Sequence, residues 1–349
     1  MKKIGIILTS IVLLFVVVSG VLTKITYDQS FPRYNRHDET INAFIRYSDI
    51  EEDYERTLVN FDSNGNSLQG YIYPNSEALG LVVIAHGIGG GADSYLAYTK
   101  WFLDNGWAVF SYDATGSFDS EGKTTKGFPQ SLIDLESALN YIETNESIND
   151  LELVLFGHSW GGYAVANILH LNDNIKAVVT AAAPSNADDM ILEQATKMLG
   201  FFAITQKPFL AMYQRLLFGE YAKYDAIDAI NQSNAHVFII HGEQDEMVSY
   251  TGSAIIARNS LITNPNVITM VSTIDGKNGH NNLFRSNEAI EYINEINSEY
   301  RALYDEYNQN IPYEVNQTFY EGIDRFKVQA LNETLMQLIH DFYVNALNS

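Results

Sequence analysis

The clearest chemical signal in the sequence is Gly157-His158-Ser159-Trp160-Gly161, a serine held between glycines. The run 153–156 before it is apolar and strand-length, and the motif opens a helix-like stretch that contains Ala164 and Val165. Between a strand and a helix, G-x-S-x-G forms a sharp, strained turn that projects the serine hydroxyl. Neighbours of that turn must lack bulk, a condition that Gly157, Gly161 and Gly162 satisfy. Such a hydroxyl becomes a nucleophile for acyl transfer when a histidine takes its proton and a carboxylate orients the histidine.

The base is found by elimination. In the chain order serine, acid, histidine, only His280 and His340 follow a strand-end acid, and His340 sits in the helix-like run Met336-Gln337-Leu338-Ile339-His340. His280 instead closes the polar loop Asp275-Gly276-Lys277-Asn278-Gly279, where a side chain can be aimed across the end of a sheet. For the acid, the strand 237–240 ends in His241-Gly242-Glu243-Gln244-Asp245-Glu246, and spacing leaves its three carboxylates open. The developing oxyanion needs two backbone N–H donors. Trp160, after the serine, and Ile88, in the glycine-rich His86-Gly87-Ile88-Gly89-Gly90-Gly91, are the candidates. That loop has neither G-x-G-x-x-G nor the Lys-Ser/Thr of a phosphate loop, so it is not read as nucleotide-binding. His86 is expected to brace the loop and Asp113 to support the site floor. His158, His170, His236 and His241 lack metal-ligand spacing as a set, and no cofactor or metal is implied.

The elements that must position these residues alternate. Strands are expected at 55–61, 67–73, 81–85, 108–112, 153–156, 177–181, 237–240 and 267–271, and helices at 95–103, 131–143, 164–171 and 253–259. Asn64-Gly65-Asn66 makes the first pair a hairpin. The rest is β-α-β repetition, which demands a mostly parallel α/β sheet with helices on both faces. Between 185 and 234 the alternation stops in a segment rich in Phe, Met and Leu, read as a helical lid insertion. The unit 55–300 is then one domain, followed by a C-terminal helical extension (301–349) expected to pack on it.

From about Thr57 to Asn297 the chain resembles the serine-aminopeptidase and monoacylglycerol-lipase branch of the α/β-hydrolases. The resemblance is carried by the His86-Gly87 loop, Tyr112-Asp113…Gly116…Ser120…Gly122, Gly157-His158-Ser159-Trp160-Gly161-Gly162, His241-Gly242…Asp245 and Gly279-His280. It implies Ser159 as nucleophile, His280 as base, Asp245 as acid with Glu243 in reserve, and Ile88 with Trp160 as oxyanion donors. The branch holds esterases, acylglycerol lipases, lysophospholipases and some peptidases. The N-terminal apolar segment and the C-terminal extension depart from a minimal member.

Composition limits partners and place. With 43 acidic against 21 basic residues the formal charge is −22, which repels nucleic acid. The absence of cysteine excludes thiol catalysis and disulfides. Lys2-Lys3 precede an apolar run, residues 4–22, about the length that crosses ~30 Å of hydrocarbon. The segment 1–27 is read as a membrane anchor with the catalytic domain outside, or as a signal cut near Val18-Ser19-Gly20, with 28–54 as a stalk. The function expected is hydrolysis of a small-molecule or lipid-like carboxylic ester with an apolar acyl chain. A membrane-anchored peptidase would instead need a lid acid, such as Asp188, Asp189, Glu193 or Glu220, to hold a substrate amine. A non-catalytic binding protein on the same fold is the third reading.

Overall fold

The computed structural model describes residues 2–349. Eight strands form one sheet: β1 (Thr57–Ser63), β2 (Asn66–Tyr73), β3 (Leu81–Ala85), β4 (Ala108–Tyr112), β5 (Leu153–His158), β6 (Ile175–Ala181), β7 (His236–Gly242) and β8 (Val267–Ser272). Their order is β1-β2-β4-β3-β5-β6-β7-β8. Only β2 runs against the rest, pairing antiparallel with β1 and β4. The β1–β2 turn has positive φ at both Asn64 (49°) and Gly65 (80°), the geometry of a two-residue hairpin. From β3 the chain crosses to β4 on one side and then to β5 on the other. The sheet therefore has a topological switch point at the β3/β5 ends, where crevices form.

Strands β3, β4 and β5 are apolar without alternation because both faces are covered. One face carries α3 (Phe128–Thr144), α4 (Trp160–Asn167) and α7 (Ala226–Gln232). The other carries α2 (Leu96–Asp104) and the last helix, α11 (Glu333–Leu347). The C-terminal segment thus supplies half of one layer: Met336, Ile339 and Tyr343 are fully buried, and the Tyr343 hydroxyl donates to the Leu155 carbonyl at 2.7 Å. Between β8 and α11 lie α8 (Asn287–Glu306), α9 (Tyr313–Glu321) and the short α10 (Arg325–Val328).

Residues 185–234 fold as α5 (Ala187–Leu199), a 3₁₀ turn (Gly200–Phe202), α6 (Ala203–Phe218), a second 3₁₀ segment and α7. The helix that the serine motif opens runs from Trp160 to Asn167 with Ser159 at its N-cap position, and one local expectation changes: the helix expected at 253–259 is the 3₁₀ segment Ile255–Leu261.

The segment expected as a stalk lies on the body. Phe31, Ile45 and Ile50 are buried, and the Arg33 guanidinium donates to the carbonyls of Phe118, Ser120 and Gly122 at 2.7–2.9 Å. Arg36 bridges Asp93 at 2.5 Å and Asp119 at 2.6 Å. Ahead of it, α1 (Lys2–Ser30) is one continuous helix, 29 residues long. Residues 3–14 are exposed, whereas Phe15 meets Phe209 and Ser19, Thr23 and Tyr27 are buried against the body.

Candidate active site

Ser159 sits at the turn from β5 into α4 with φ 57° and ψ −114°, a left-handed conformation costly for a residue with a Cβ. The turn closes because its neighbours have no side chains. A Cβ on Gly161 would lie 1.9 Å from the Ala85 carbonyl oxygen, and one on Gly157 would lie 2.4 Å from that of Gly161.

The Ser159 hydroxyl is 2.9 Å from His280 Nε2, and His280 Nδ1 is 2.8 Å and 3.0 Å from the two carboxylate oxygens of Asp245. Serine, histidine and aspartate come from the ends of β5, the post-β8 loop and the post-β7 loop. All three are nearly buried. Burial pushes the Asp245 carboxyl up, but the His280 contact and the Val248 N–H outweigh it and hold the group below its ordinary range. Met247 and Val248 N–H groups donate to Asp245 Oδ1 at 2.9 and 2.8 Å, so the acid is ionised and fixed. With Nδ1–H facing a carboxylate, Nε2 is left to accept a proton from the serine.

Of the other two carboxylates, Glu243 is exposed and does not reach the histidine. Glu246 accepts the His280 backbone N–H at 3.1 Å and does not face the imidazole. His340 lies in α11, 3.1 Å from Trp107 Nε1 and far from the serine in the fold.

Trp160, the first residue of α4, and Ile88, in the loop after β3, have backbone N–H groups that donate to no acceptor among the described residues. The loop holding Ile88 is braced from three sides. His86 Nδ1 donates to the Gly87 carbonyl at 2.8 Å while its Nε2 accepts the Ala114 N–H at 2.9 Å, and burial lowers this imidazole to about 4. Asp113 accepts the Ala92 N–H at 2.7 Å. Tyr95, which sequence reasoning missed, accepts the Gly87 N–H at 2.9 Å and lies 3.2 Å from His158 Nδ1. His158 Nε2 then donates to the His280 backbone carbonyl at 2.8 Å; burial and the neighbouring His280 lower it to about 4. A neutral Tyr95–His158 bridge therefore ties the Ile88 loop to the backbone of His280. No periodicity could reveal it, because its partners are 63 and 122 residues apart.

Ser159 and Ile88 both line two chambers. One, about 720 Å³, is apolar and lined by residues of α1, α5 and α6 and by Phe128. The other, about 520 Å³, is lined by Gly87–Gly90, Tyr98, His280, Phe284, Arg285 and Gln329. Neither is lined by a carboxylate. Arg285 makes no ion pair or side-chain hydrogen bond among the described residues, and burial lowers its pKa. The four lid acids are spoken for. Asp188 accepts from Gln214, Asp189 pairs with Arg258, Glu193 accepts the Ser249 and Ser253 N–H groups, and Glu220 pairs with Lys223.

Residues 76–218 match the family model described as serine aminopeptidase, S33. Over 136 residues the chain is 33% identical to the quorum-quenching protein AidA of Acinetobacter baumannii, a match covering 36% of this chain and 43% of that protein. Over 123 residues it is 29% identical to the uncharacterized protein YfhR of Escherichia coli K12, covering 33% and 43%. The chain thus matches less than half the length of these relatives. The Pyrococcus furiosus esterase Pf2001 superposes with a TM-score of 0.54 at 17% identity, covering 76% of this chain and 95% of the esterase.

Proposed function

We propose that this chain, an α/β-hydrolase by fold, is a serine esterase acting through an acyl-enzyme on Ser159. The observation that carries this reading is the continuous Asp245–His280–Ser159 hydrogen-bond chain ending at the junction of two chambers. Ser159 Oγ attacks the ester carbonyl carbon as His280 Nε2 removes the hydroxyl proton. Asp245 stays ionised and stabilises the imidazolium, and the N–H groups of Ile88 and Trp160 receive the oxyanion. The C–O bond to the alcohol breaks, and His280 returns the proton to the leaving oxygen. Water then attacks the acyl-enzyme with His280 again as base, releasing the acid and restoring the serine.

The apolar chamber suits the acyl chain and the more polar one the alcohol. An ester is favoured over an aminopeptidase substrate because a bound amine would want a facing carboxylate. The four lid acids are engaged elsewhere, and neither chamber is lined by one. The site supports a small-molecule substrate, and the apolar helix α1 supports a place at a membrane.

Fluorophosphonate labelling, combined with turnover of p-nitrophenyl esters of graded acyl length against aminoacyl p-nitroanilides, tests this. Labelling of wild type but not Ser159→Ala is expected, with ester turnover and no aminoacyl amide turnover. Absence of labelling in folded protein would leave a non-catalytic binding role, and preference for the amides would favour a peptidase.

A further inference from the structure

The second half of α1 does more than attach the body to its N-terminal apolar segment. Phe15, Ser19, Leu22, Thr26 and Ser30 fall on one helix face at three- and four-residue spacing and line the same apolar chamber that reaches Ser159. The helix is seated by Tyr27, whose ring meets Tyr213 of α6 edge-on at 5.3 Å, and by Phe15, whose ring meets Phe209 at 6.0 Å. Lys24 reaches the Tyr213 hydroxyl at 3.2 Å. Seven of the side chains that line the chamber belong to α1.

The same residues belong to the apolar span. Residues 4–23 lie between Lys2-Lys3 and Lys24 and, at about 1.5 Å per residue, cover the roughly 30 Å of a hydrocarbon core. Phe15 is then about 17 Å above Ile4, past the midplane, and Leu22 is near the outer boundary. The helix is almost wholly exposed along this stretch, unlike the core helix of a soluble domain. Whatever packs on Phe15 must stand at the same depth, and what packs there is Phe209 of α6, about two turns beyond the α5–α6 tip. That tip is apolar and bare: Met198, Phe201, Phe202 and Ile204 are 63–75% exposed, and Leu216 further along α6 is 80% exposed. Bare apolar surface continuous with a membrane span has one natural solvent.

We propose that α1 is retained as a working wall of the acyl chamber, and that α1 and the α5–α6 tip enter the outer leaflet together, so the ester's acyl chain passes from the bilayer to Ser159 without crossing water. The proposal rests on the serine-esterase reading for its chemistry and on α1 for its geometry.

Three measurements on the full chain in phosphatidylcholine nanodiscs test it. The chain has no cysteine, so Phe202→Cys and, as a reference at the opposite end of the sheet, Asp150→Cys can each carry a single nitrobenzoxadiazole fluorophore. Phosphatidylcholine bearing a doxyl spin label near the headgroup end of its chain should quench the probe at 202 by more than half and leave that at 150 unchanged. An unquenched probe at 202 overturns bilayer insertion, including the case where its emission is blue-shifted because a second copy or another protein covers the tip. Next, Leu22→Trp and, separately, Thr26→Phe should lower the ratio of kcat/KM for palmitoyl over butyryl ester at least tenfold. An unchanged ratio in both overturns the wall. Finally, intact mass of the membrane-extracted protein should retain Val18-Ser19-Gly20, and cleavage there overturns retention. Failure of the esterase reading itself would look different: neither ester would turn over and fluorophosphonate would not label Ser159.

Discussion

At the scale of single residues, the contacts rank the three carboxylates after β7. Asp245→Asn keeps the shape but loses the charge that holds the His280 tautomer, so kcat should fall by roughly three to four orders of magnitude. Glu243→Gln, at an exposed side chain, should stay within about threefold of wild type, and rank exchange between the two in steady-state kinetics would refute the assignment. His280→Ala should match Ser159→Ala in loss of turnover because such residues act as a unit. His340→Ala should leave turnover near wild type while losing about 1 kcal/mol of stability through the Trp107 contact, read as a lower Tm. Ser159 and His280 were legible from spacing and chain order. Asp245 was legible only through resemblance, since adjacent loop carboxylates look alike until the loop is folded. Tyr95 and the bridging role of His158 were not legible, because a hydrogen bond between distant residues leaves no periodic trace.

Among elements, the end of β4 shows how the fold braces the site. Asp113 is fully buried, and burial raises its carboxyl from 3.8 to about 6 despite the Ala92 and Asp119 N–H groups. A group whose folded pKa is raised stabilises fully below its unfolded pKa, and that contribution is lost as pH rises through the folded pKa. The Tm of wild type relative to Asp113→Asn should therefore decline between about pH 4 and 6 and then level, a swing of roughly 3 kcal/mol from a two-unit shift. A flat difference across that window would show that Asp113 ionises as readily in the fold as outside it. The turn between β5 and α4 is a second such element. Gly161→Ala must push its Cβ away from the Ala85 carbonyl, backbone that cannot yield, so loss of folded protein in membrane extracts is expected rather than a mild kinetic change.

For the whole molecule, a charge of −22 sets how substrate arrives. Long-range repulsion slows an anionic amphiphile but not a neutral one, and it is screened as the Debye length falls from about 30 Å at 0.01 M salt to roughly 3 Å at 1 M. Raising salt should increase kcat/KM for an anionic ester several-fold while leaving a neutral ester of equal chain length nearly unchanged. Equal responses would place the acidic surface away from the approach to the chambers.

The sequence by itself determined the mostly parallel sheet, the serine turn and the histidine loop, because burial on both strand faces, steric exclusion at a tight turn and loop polarity are written in local residue types. It also marked residues 4–22 as apolar enough to span a bilayer. Only the tertiary structure decided that residues 28–54 strap onto the body, that α11 completes a layer of the fold, that the lid acids are occupied, and that α1 walls the chamber beside Ser159. Those outcomes depend on which surfaces meet across long stretches of chain, and an apolar helix reads the same in sequence whether its neighbour is lipid, lid or both.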